Sequence, residues 1–316
     1  MKKIYYYGLS HDLIYENSLL KQWGIQDIEL ASLTRGGKNW AEACWDGDGL
    51  IVKGTYIGKE ELSFMPKLKV VGVESIGYDN LDRDAFQEKG VPVVNTPGFC
   101  AEDVALHTAG LLLDLVRHIT YYNKKLLKEG FHCQKDVLPE RLSGKQVCLM
   151  GFGSIPQKLT PILKAMGLSV SVWGTRKSEK ELQAFGVNRE ESLEELLKKA
   201  DILSLHLPLT GKTKGLMGER ELRLMKPTAL LINTARGGLI QEEVLIQALR
   251  EGWIAGAAVD VIEHEKEGES GLFSMENVIA TPHIAFLSEE SGYEARKQVL
   301  AGVIKELEVF LNCNIK

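Results

Sequence analysis

The sequence predicts an α/β protein built on parallel sheets, and three observations lead to that class. Short apolar runs alternate with helix-length segments through almost the whole chain, which is typical of strands joined by crossover helices. The apolar runs are rich in Val, Ile and Leu without polar alternation, as expected for strands covered on both faces. The length of 316 residues exceeds one ordinary domain, so two domains are expected.

The first set of elements occupies residues 49 to 129. Three apolar runs, each followed by turn-forming residues, predict strands over 49–54, 68–73 and 91–96. Residues 101–129 predict one long helix, because Asp103 lies near its start, basic residues lie near its end and an apolar stripe runs between them. We expect this helix to bridge two lobes.

The second set of elements follows the long helix. Five further Val-, Ile- and Leu-rich runs predict buried strands over 146–151, 168–173, 200–207, 228–234 and 256–261. From Ser288 onward the pattern predicts a last helix, with Glu289 and Glu290 in its first turn and apolar residues at positions 295, 299, 303 and 307.

Composition and charge argue against several classes of protein. A net charge of −5 without a basic block offers no surface for nucleic acid. No apolar run reaches the roughly 20 residues of a membrane helix, and the N-terminus lacks the apolar region of a signal peptide, so a cytoplasmic protein is expected. The five cysteines have no metal-ligand spacing, which predicts neither a disulfide framework nor a metal site. The expected partner is a small molecule.

The stretch VCLMGFGSIPQKLTP, residues 147 to 161, predicts a dinucleotide-binding turn. Gly151 and Gly153 lie between a predicted strand and a predicted helix, the context that the G-x-G-x-x-G fingerprint requires. The first glycine permits the tight bend. The second lets a pyrophosphate approach the N–H groups of the helix N-terminus, here those of Ser154 and Ile155. An ordinary strand-to-helix turn is the weaker interpretation.

Two prolines depart from that fingerprint. Pro156 replaces the third glycine, whose usual role is close packing of helix on strand. In the first helical turn a proline lacks only an N–H group that would have no helical partner there. Pro161 stands further on, where it removes a helical hydrogen bond and is expected to kink the helix. We therefore expect a functional turn with weakened affinity.

The residues after the next predicted strand favour NADP over NAD. An NAD-binding protein places Asp or Glu there to accept from the ribose 2′-hydroxyl, whereas this chain has Gly174 followed by Thr175, Arg176 and Lys177. A hydroxyl and two cations suit a 2′-phosphate, and two charge-assisted hydrogen bonds are worth about 3 kcal/mol, near a hundredfold in affinity. A solvated basic loop with relaxed specificity is the alternative, which keeps NAD possible.

Four downstream motifs carry a resemblance to a known family. They are HLPLTGKT at 206–213, INTARGGLI at 232–240, VDVIEHE at 259–265 and ATPHIAFLSEES at 280–291. Together they closely resemble the D-isomer-specific 2-hydroxyacid dehydrogenase family. The segment AEDVALHTAGLLL, residues 101–113, looks more like the glyoxylate/hydroxypyruvate reductase branch, which is often NADP-dependent.

The resemblance implies a Rossmann nucleotide-binding domain inserted into a flavodoxin-like substrate domain, both doubly wound on parallel sheets. The implied boundaries are 1–98 for the first part of the substrate domain, 99–284 for the NAD(P)-binding domain and 285–316 for the returning C-terminal helix. The resemblance also implies a homodimer.

The family's chemistry requires a proton donor, a cation for the substrate and a bound nicotinamide cofactor. By resemblance, His283 is the general acid in reduction and the base in oxidation, and Glu265 is the acidic partner that favours its imidazolium form. Glu263 lies close by in the sequence, which leaves open which glutamate faces the histidine. Arg236 is expected to pair with the 2-oxo acid through a planar fork that a lysine lacks.

The resemblance assigns further residues to ligand binding. Those implied around the cofactor are His206, Pro208, Thr213, Thr234, Ala235 and, at the nicotinamide carboxamide, Asp260. Those implied around the substrate carboxylate are Lys53, Ser75, Ile76 and Gly77, whose loop amides form an anion nest. The alternatives are packing roles for the first set and a solvated strand end for Lys53.

The sequence therefore predicts a reversible oxidoreductase that transfers a hydride between NAD(P)H, with NADPH favoured, and a small 2-oxo or (R)-2-hydroxy acid such as glyoxylate or hydroxypyruvate. Two alternatives stay open. One is a phosphoglycerate dehydrogenase, for which Lys53 is the evident phosphate ligand. The other is a non-catalytic dinucleotide sensor or corepressor, which the prolines at 156 and 161 favour.

Overall fold

The computed structural model describes residues 1–8, 12–33, 40–78, 80–265 and 267–307, and the chain divides into two compact units. Residues 1–100 and 288–316 form one unit, called here the split unit. Residues 101–287 form the other, called here the continuous unit. The implied domain boundaries at 98 and 284 lie just before these limits.

The strands and α-helices are numbered in chain order. The strands are β1 (Lys2–Tyr7), β2 (Ile28–Leu33), β3 (Gly49–Val52), β4 (Val70–Val73), β5 (Val93–Val94), β6 (Gln146–Met150), β7 (Ser169–Trp173), β8 (Asn188–Arg189), β9 (Ile202–Leu205), β10 (Leu230–Asn233), β11 (Gly256–Val259) and β12 (Val278–Ala280). The helices are α1 (Ile14–Gln22), α2 (Lys59–Ser63), α3 (Arg83–Lys89), α4 (Ala101–Arg117), α5 (Ile119–Glu129), α6 (Ser154–Ala165), α7 (Glu179–Ala184), α8 (Leu193–Lys199), α9 (Glu219–Leu224), α10 (Glu242–Arg250) and α11 (Glu289–Glu306).

The split unit is built on a parallel sheet in the order β2-β1-β3-β4-β5, the flavodoxin-like order. Leu50 and Val52 of β3 pack into the apolar cluster on one face of the sheet, and Ile51 packs into the cluster on the other. This two-sided burial explains why the strand is apolar at every position. Helix α11 covers one face, where it comes so close to β4 that a Cβ on Gly72 would lie 2.7 Å from side-chain atoms of α11.

The continuous unit is built on a larger parallel sheet in the order β12-β11-β10-β9-β6-β7-β8. The chain runs outward from β6 to β8 and then returns to build the other half from β9 to β12, which is the doubly wound Rossmann arrangement. Apolar clusters cover both faces of this sheet as well. The predicted fold class, two parallel-sheet α/β domains, is confirmed.

The single helix predicted over 101–129 is wrong. Helix α4 ends at Arg117 and α5 begins at Ile119, with His118 between them in a left-handed conformation at φ +54°. The carboxylate of Asp114 accepts hydrogen bonds from the backbone N–H of Thr120 at 2.7 Å and from its hydroxyl. A side chain of α4 therefore caps the first turn of α5, and this contact fixes the break.

The described helices include none with both the length and the apolar character needed to cross a bilayer.

Burial raises the pKa of the Cys44 and Cys148 thiols to about 12, so neither is a nucleophile near neutral pH.

Candidate active site

The sequence motifs of the continuous unit meet along one edge of its sheet. Gly151 follows β6, Gly174 follows β7, His206 follows β9, Thr234 follows β10 and Asp260 follows β11. Because the strands are parallel, these residues lie at the carboxyl edge, where open α/β sheets bind ligands.

The glycine turn has the geometry of a phosphate cradle. Gly151 has φ +95°, and a Cβ there would lie 2.6 Å from the carbonyl oxygen of His206, so only glycine fits. A Cβ on Gly153 would meet no atom of the described residues within 4 Å, so space is open above the start of α6. The amides of Ser154 and Ile155 belong to the first helical turn, which has no helical acceptors for them. These features fit the pyrophosphate of a dinucleotide.

Helix α6 continues through both prolines. It spans Ser154–Ala165, and Pro161 lies inside it. The Thr160 hydroxyl donates to the carbonyl of Pro156 at 2.7 Å, one turn back along the helix. The prolines therefore leave the helix N-terminus in place.

The basic loop after β7 carries two cationic side chains, and they differ in their contacts: Lys177 is paired with a carboxylate, whereas Arg176 is exposed. Lys177 Nζ lies 2.8 Å from Glu181 Oε1, and this hydrogen bond is the main cause that lowers the pKa of Glu181 to about 2. Arg189 donates to the carbonyls of Thr175 and Lys177 and so braces the loop. Arg176 is exposed, and its side chain has no polar partner among the described residues.

Several predicted cofactor residues take part in contacts within their own loops. His206 Nε2 lies 2.9 Å from Ser204 Oγ, and burial lowers the pKa of this imidazole to about 4, so it is neutral at physiological pH. Thr213 donates its hydroxyl proton to the carbonyl of Pro208 at 2.6 Å. These bonds shape the 206–213 loop.

The hydroxyl of Thr234 is likewise engaged inside the unit. It lies 2.9 Å from the hydroxyl of Thr108, whose own proton goes to the carbonyl of Val104 at 2.7 Å. Thr234 is therefore the donor of the pair, since Thr108 has only one proton to give. The next residue, Ala235, donates its N–H to the side chain of Asn233 at 3.0 Å.

His283 and Glu265 form a hydrogen-bonded pair. His283 Nδ1 lies 3.0 Å from Glu265 Oε2, and both side chains are 43% exposed. Glu263 is held elsewhere, because its N–H and its carboxylate exchange hydrogen bonds with Glu242. An ionised carboxylate only accepts, so Nδ1 carries a proton in this pair and Nε2 is the ring nitrogen left for a ligand. This geometry selects Glu265 over Glu263.

The backbone of His283 is held in an uncommon conformation by Asp260. His283 has φ +54°, which is costly for a residue with a side chain. The Asp260 carboxylate accepts from the Thr281 hydroxyl at 2.6 Å, from the Ile284 N–H at 2.9 Å and from the Ala285 N–H at 2.8 Å. Asp260 is 2% exposed. Sequence analysis missed this anchoring role, because the donors lie more than twenty residues away.

Arg236 lies on a turn that packs closely on the loop leading to Glu265. A Cβ on the next residue, Gly237, would come within 1.8 Å of the carbonyl oxygen of Ile262, so only glycine permits the approach. Arg236 is half-buried, and its Nη1 donates to the carbonyl of Ala235 at 2.8 Å. Gly237 of the ARGG motif thus positions the arginine turn.

Lys53 in the split unit is neutralised by a buried carboxylate. Lys53 follows β3 and Glu74 follows β4, and these strands are neighbours in the sheet. Lys53 Nζ lies 3.0 Å from Glu74 Oε1, and the Glu74 side chain is 2% exposed. Lys53 is therefore part of an ion pair as well as a candidate ligand.

The loop after Glu74 presents backbone donors. The Asn95 side chain donates to the carbonyl of Ile76 at 2.8 Å, and the Ser75 hydroxyl donates to the carbonyl of Gly77. Within the described residues, no acceptor takes the N–H groups of Ile76 and Gly77. Both carbonyls are thus satisfied locally while the two amides are available for an anion.

Comparisons with known proteins agree on one family. The family model described as "D-isomer specific 2-hydroxyacid dehydrogenase, NAD binding domain" matches residues 109–285. A glyoxylate reductase of Thermococcus litoralis is 38% identical over 262 residues, which are 80% of this chain and 77% of that one. A D-3-phosphoglycerate dehydrogenase of Methanocaldococcus jannaschii is 35% identical over 298 residues, which are 94% of this chain and 56% of that one.

The chain thus spans little more than half the length of that second relative. Among solved structures, a glyoxylate reductase from Paecilomyes thermophila matches with a TM-score of 0.85 at 26% identity, over 97% of this chain and 95% of that one.

Proposed function

The chain belongs to the D-isomer-specific 2-hydroxyacid dehydrogenase family of NAD(P)-dependent oxidoreductases, and we propose from this that it reduces a small 2-oxo acid to a 2-hydroxy acid and catalyses the reverse. The observation that carries the proposal is the pair of His283 Nδ1 and Glu265 Oε2 at 3.0 Å. The pair lies in the same unit as a glycine turn that fits a dinucleotide.

The proton chemistry follows from that pair. When bound, the nicotinamide cofactor supplies the hydride to the substrate carbonyl carbon. His283 donates the proton on Nε2 to the carbonyl oxygen, while its Nδ1–H donates to Glu265. In the reverse direction the neutral imidazole takes the proton back. Glu265 also fixes the orientation of the ring.

We propose that a cationic side chain and backbone N–H groups bind the substrate. Arg236 offers a planar fork for a 2-oxo acid, and, within the split unit, the N–H groups of Ile76 and Gly77 are suited to a carboxylate. Because Lys53 is already paired with Glu74, a second strong anion next to it is less favoured, which argues for glyoxylate or hydroxypyruvate over a phosphorylated acid. Activity with 3-phosphohydroxypyruvate alone would reverse that ranking.

A preference for NADPH is proposed from Arg176. This side chain is exposed without a polar partner among the described residues, whereas Lys177 is paired with Glu181. We expect Arg176→Ser to lower kcat/KM for NADPH about tenfold, since one charge-assisted hydrogen bond is lost, and to leave kcat/KM for NADH unchanged. Lys177→Ser is the matched control and should change the ratio little. Equal kcat/KM values for both cofactors in the unmodified protein would remove the preference.

The decisive experiment combines turnover with direct binding. Oxidation of NADPH and NADH is followed with glyoxylate, hydroxypyruvate, pyruvate, phenylpyruvate and 3-phosphohydroxypyruvate, and the affinity for each cofactor is measured by fluorescence titration. Turnover supports the reductase. Tight cofactor binding without turnover of any acid would favour the sensor or corepressor alternative instead.

A homodimer completes the proposal, and the family resemblance supports it. Light scattering on the purified chain should give twice the mass of 35.1 kDa. A monomeric mass would contradict it.

A further inference from the structure

One side chain of the AEDVALHTAGLLL segment contacts the hydrogen-bonded residues that hold the backbone of His283. His107 lies on α4, and its Nε2 is 3.0 Å from the Thr281 hydroxyl oxygen and 3.7 Å from Asp260 Oδ1. The His107 side chain is 22% exposed, so the contact is largely shielded from solvent. The proposed chemistry gives this histidine no role.

The direction of the hydrogen bonds follows from proton counting. A threonine hydroxyl has one proton, and Thr281 directs it to Asp260, where the distance is 2.6 Å. The Thr281 oxygen can therefore only accept from His107, and Nε2 must carry a hydrogen. The chain of donors runs from His107 through Thr281 to the carboxylate of Asp260.

The same carboxylate fixes the loop that carries the general acid. Its other bonds come from the N–H groups of Ile284 and Ala285, the two residues that follow His283. The N–H of His283 itself donates to the backbone carbonyl of Asp260 at 2.9 Å. A rotation of this carboxylate would break the hydrogen bonds that keep His283 in its left-handed conformation.

We propose that His107 is a positioning residue for the hydride-transfer reaction: its Nε2–H holds Thr281 against Asp260, and this sets where His283 presents Nε2 to the substrate. The proposal rests on the proposed function for its effect on rate, but its structural part is independent of turnover. Removal of the donor should misplace His283 while the glycine turn, which lies on other strands, keeps its cofactor affinity.

The test compares two replacements at one position. His107→Leu removes the donor at similar size, and His107→Gln keeps an N–H group near the place of Nε2. We expect kcat to fall about tenfold or more in His107→Leu, since small misplacements of a reacting group have effects of that order. The dissociation constant for NADPH should change less than kcat, and His107→Gln should restore most of the rate.

Thr281 supplies an independent pair of variants if His107→Leu does not fold. Thr281→Val removes the hydroxyl that links His107 to Asp260 and should reproduce the loss of kcat. Thr281→Ser keeps that hydroxyl and should not. In the double variant His107→Leu/Thr281→Val the losses should not add, because both remove the same contact. Equal losses in His107→Leu and His107→Gln, or additive losses in the double variant, would overturn the proposal.

A readout without substrate separates this proposal from the proposed function. The ring resonances of His283 in ¹⁵N-edited spectra, assigned by comparison with His283→Gln, should shift in His107→Leu and return in His107→Gln. If the unmodified protein reduces none of the acids, these shifts alone decide the positioning role. Unshifted His283 resonances in His107→Leu would refute it even in an active enzyme.

Discussion

His283 combines an unusual backbone conformation with a hydrogen-bonded side chain, so a substitution there tests the proposed reaction directly. Its Nδ1 is held by Glu265, which leaves Nε2 for the proposed proton transfer. We expect His283→Ala to lower kcat about 10²- to 10⁴-fold, the range typical for loss of a general acid. Steady-state kinetics on the preferred acid measures this change.

The control for that prediction is cofactor binding. The glycine turn lies on a different strand, so the NADPH dissociation constant of His283→Ala should match that of the unmodified protein. Glu265→Gln keeps a hydrogen-bonding group but loses the charge, and it should show a smaller loss of kcat. Turnover in His283→Ala at the unmodified rate would remove the histidine from the reaction.

His206 predicts a pH dependence of stability. Burial lowers the pKa of its imidazole to about 4 in the folded protein, against about 6.5 in an unfolded chain. Between these values the unfolded state binds the proton and the folded state does not, so falling pH favours unfolding. Between about pH 7.5 and about pH 5, protonation of this group in the unfolded state should lower the free energy of unfolding by about 2 kcal/mol.

Urea denaturation of His206→Gln against the unmodified protein isolates that contribution. The glutamine does not titrate, so the variant should lose about 2 kcal/mol less over the same pH interval. Other groups titrate equally in both proteins and cancel in the difference. Parallel pH profiles for the two proteins would show that the His206 imidazole is not protonated differently in the folded and unfolded states.

At the scale of the element, sequence patterns located the strand interiors well and their ends less well. The run predicted over 200–207 becomes β9 at Ile202–Leu205, because a strand ends where its ladder ends and not where apolar residues end. Strands β1 and β2 were not predicted. The Tyr-rich run of β1 is buried between two neighbours in the sheet, and that burial depends on pairing with distant residues.

The break between α4 and α5 shows why some boundaries escape a pattern. Hydrophobic spacing continues past Arg117, and the new helix start is marked instead by the left-handed His118 and by the bond from Thr120 to the Asp114 carboxylate. The glycine turn was found because its residues are fixed by local geometry. The contacts of Asp260 with Thr281, Ile284 and Ala285 were not found, because they join segments that are distant in the sequence.

The two glycines of the phosphate turn should respond differently to alanine. Gly151→Ala places a Cβ 2.6 Å from the carbonyl of His206 at φ +95°, so it should destabilise the protein and also weaken cofactor binding. Gly153→Ala meets open space in the described chain, so the fold should tolerate it while the methyl group obstructs an approaching pyrophosphate.

Thermal unfolding and NADPH titration of both variants test this distinction. Gly153→Ala should keep the Tm of the unmodified protein and lose affinity at least about tenfold, since the backbone can no longer approach the phosphates. Gly151→Ala should lose on both measures. Unchanged affinity in Gly153→Ala would place the pyrophosphate elsewhere.

At the scale of the whole molecule, the residues proposed for cofactor binding and proton transfer lie in one continuous segment. The glycine turn, the basic loop, Arg236 and the His283–Glu265 pair all belong to residues 101–287. The split unit carries Lys53 and the 75–77 loop, and a helix from the end of the chain covers one face of its sheet. Each unit has apolar clusters of its own.

This division predicts where a cofactor stabilises the protein. A ligand that binds only the folded continuous unit stabilises it by RT ln(1 + [L]/Kd), about 2.7 kcal/mol at a hundredfold excess over Kd. Amides of β6, β9 and β10 that exchange by unfolding of this unit should then exchange about a hundredfold more slowly with NADPH. Amides of β1 and β3, in the split unit, should keep their rates. Peptide-resolved hydrogen exchange measures both sets together, and equal slowing of the two would mean that the units unfold as one cooperative body.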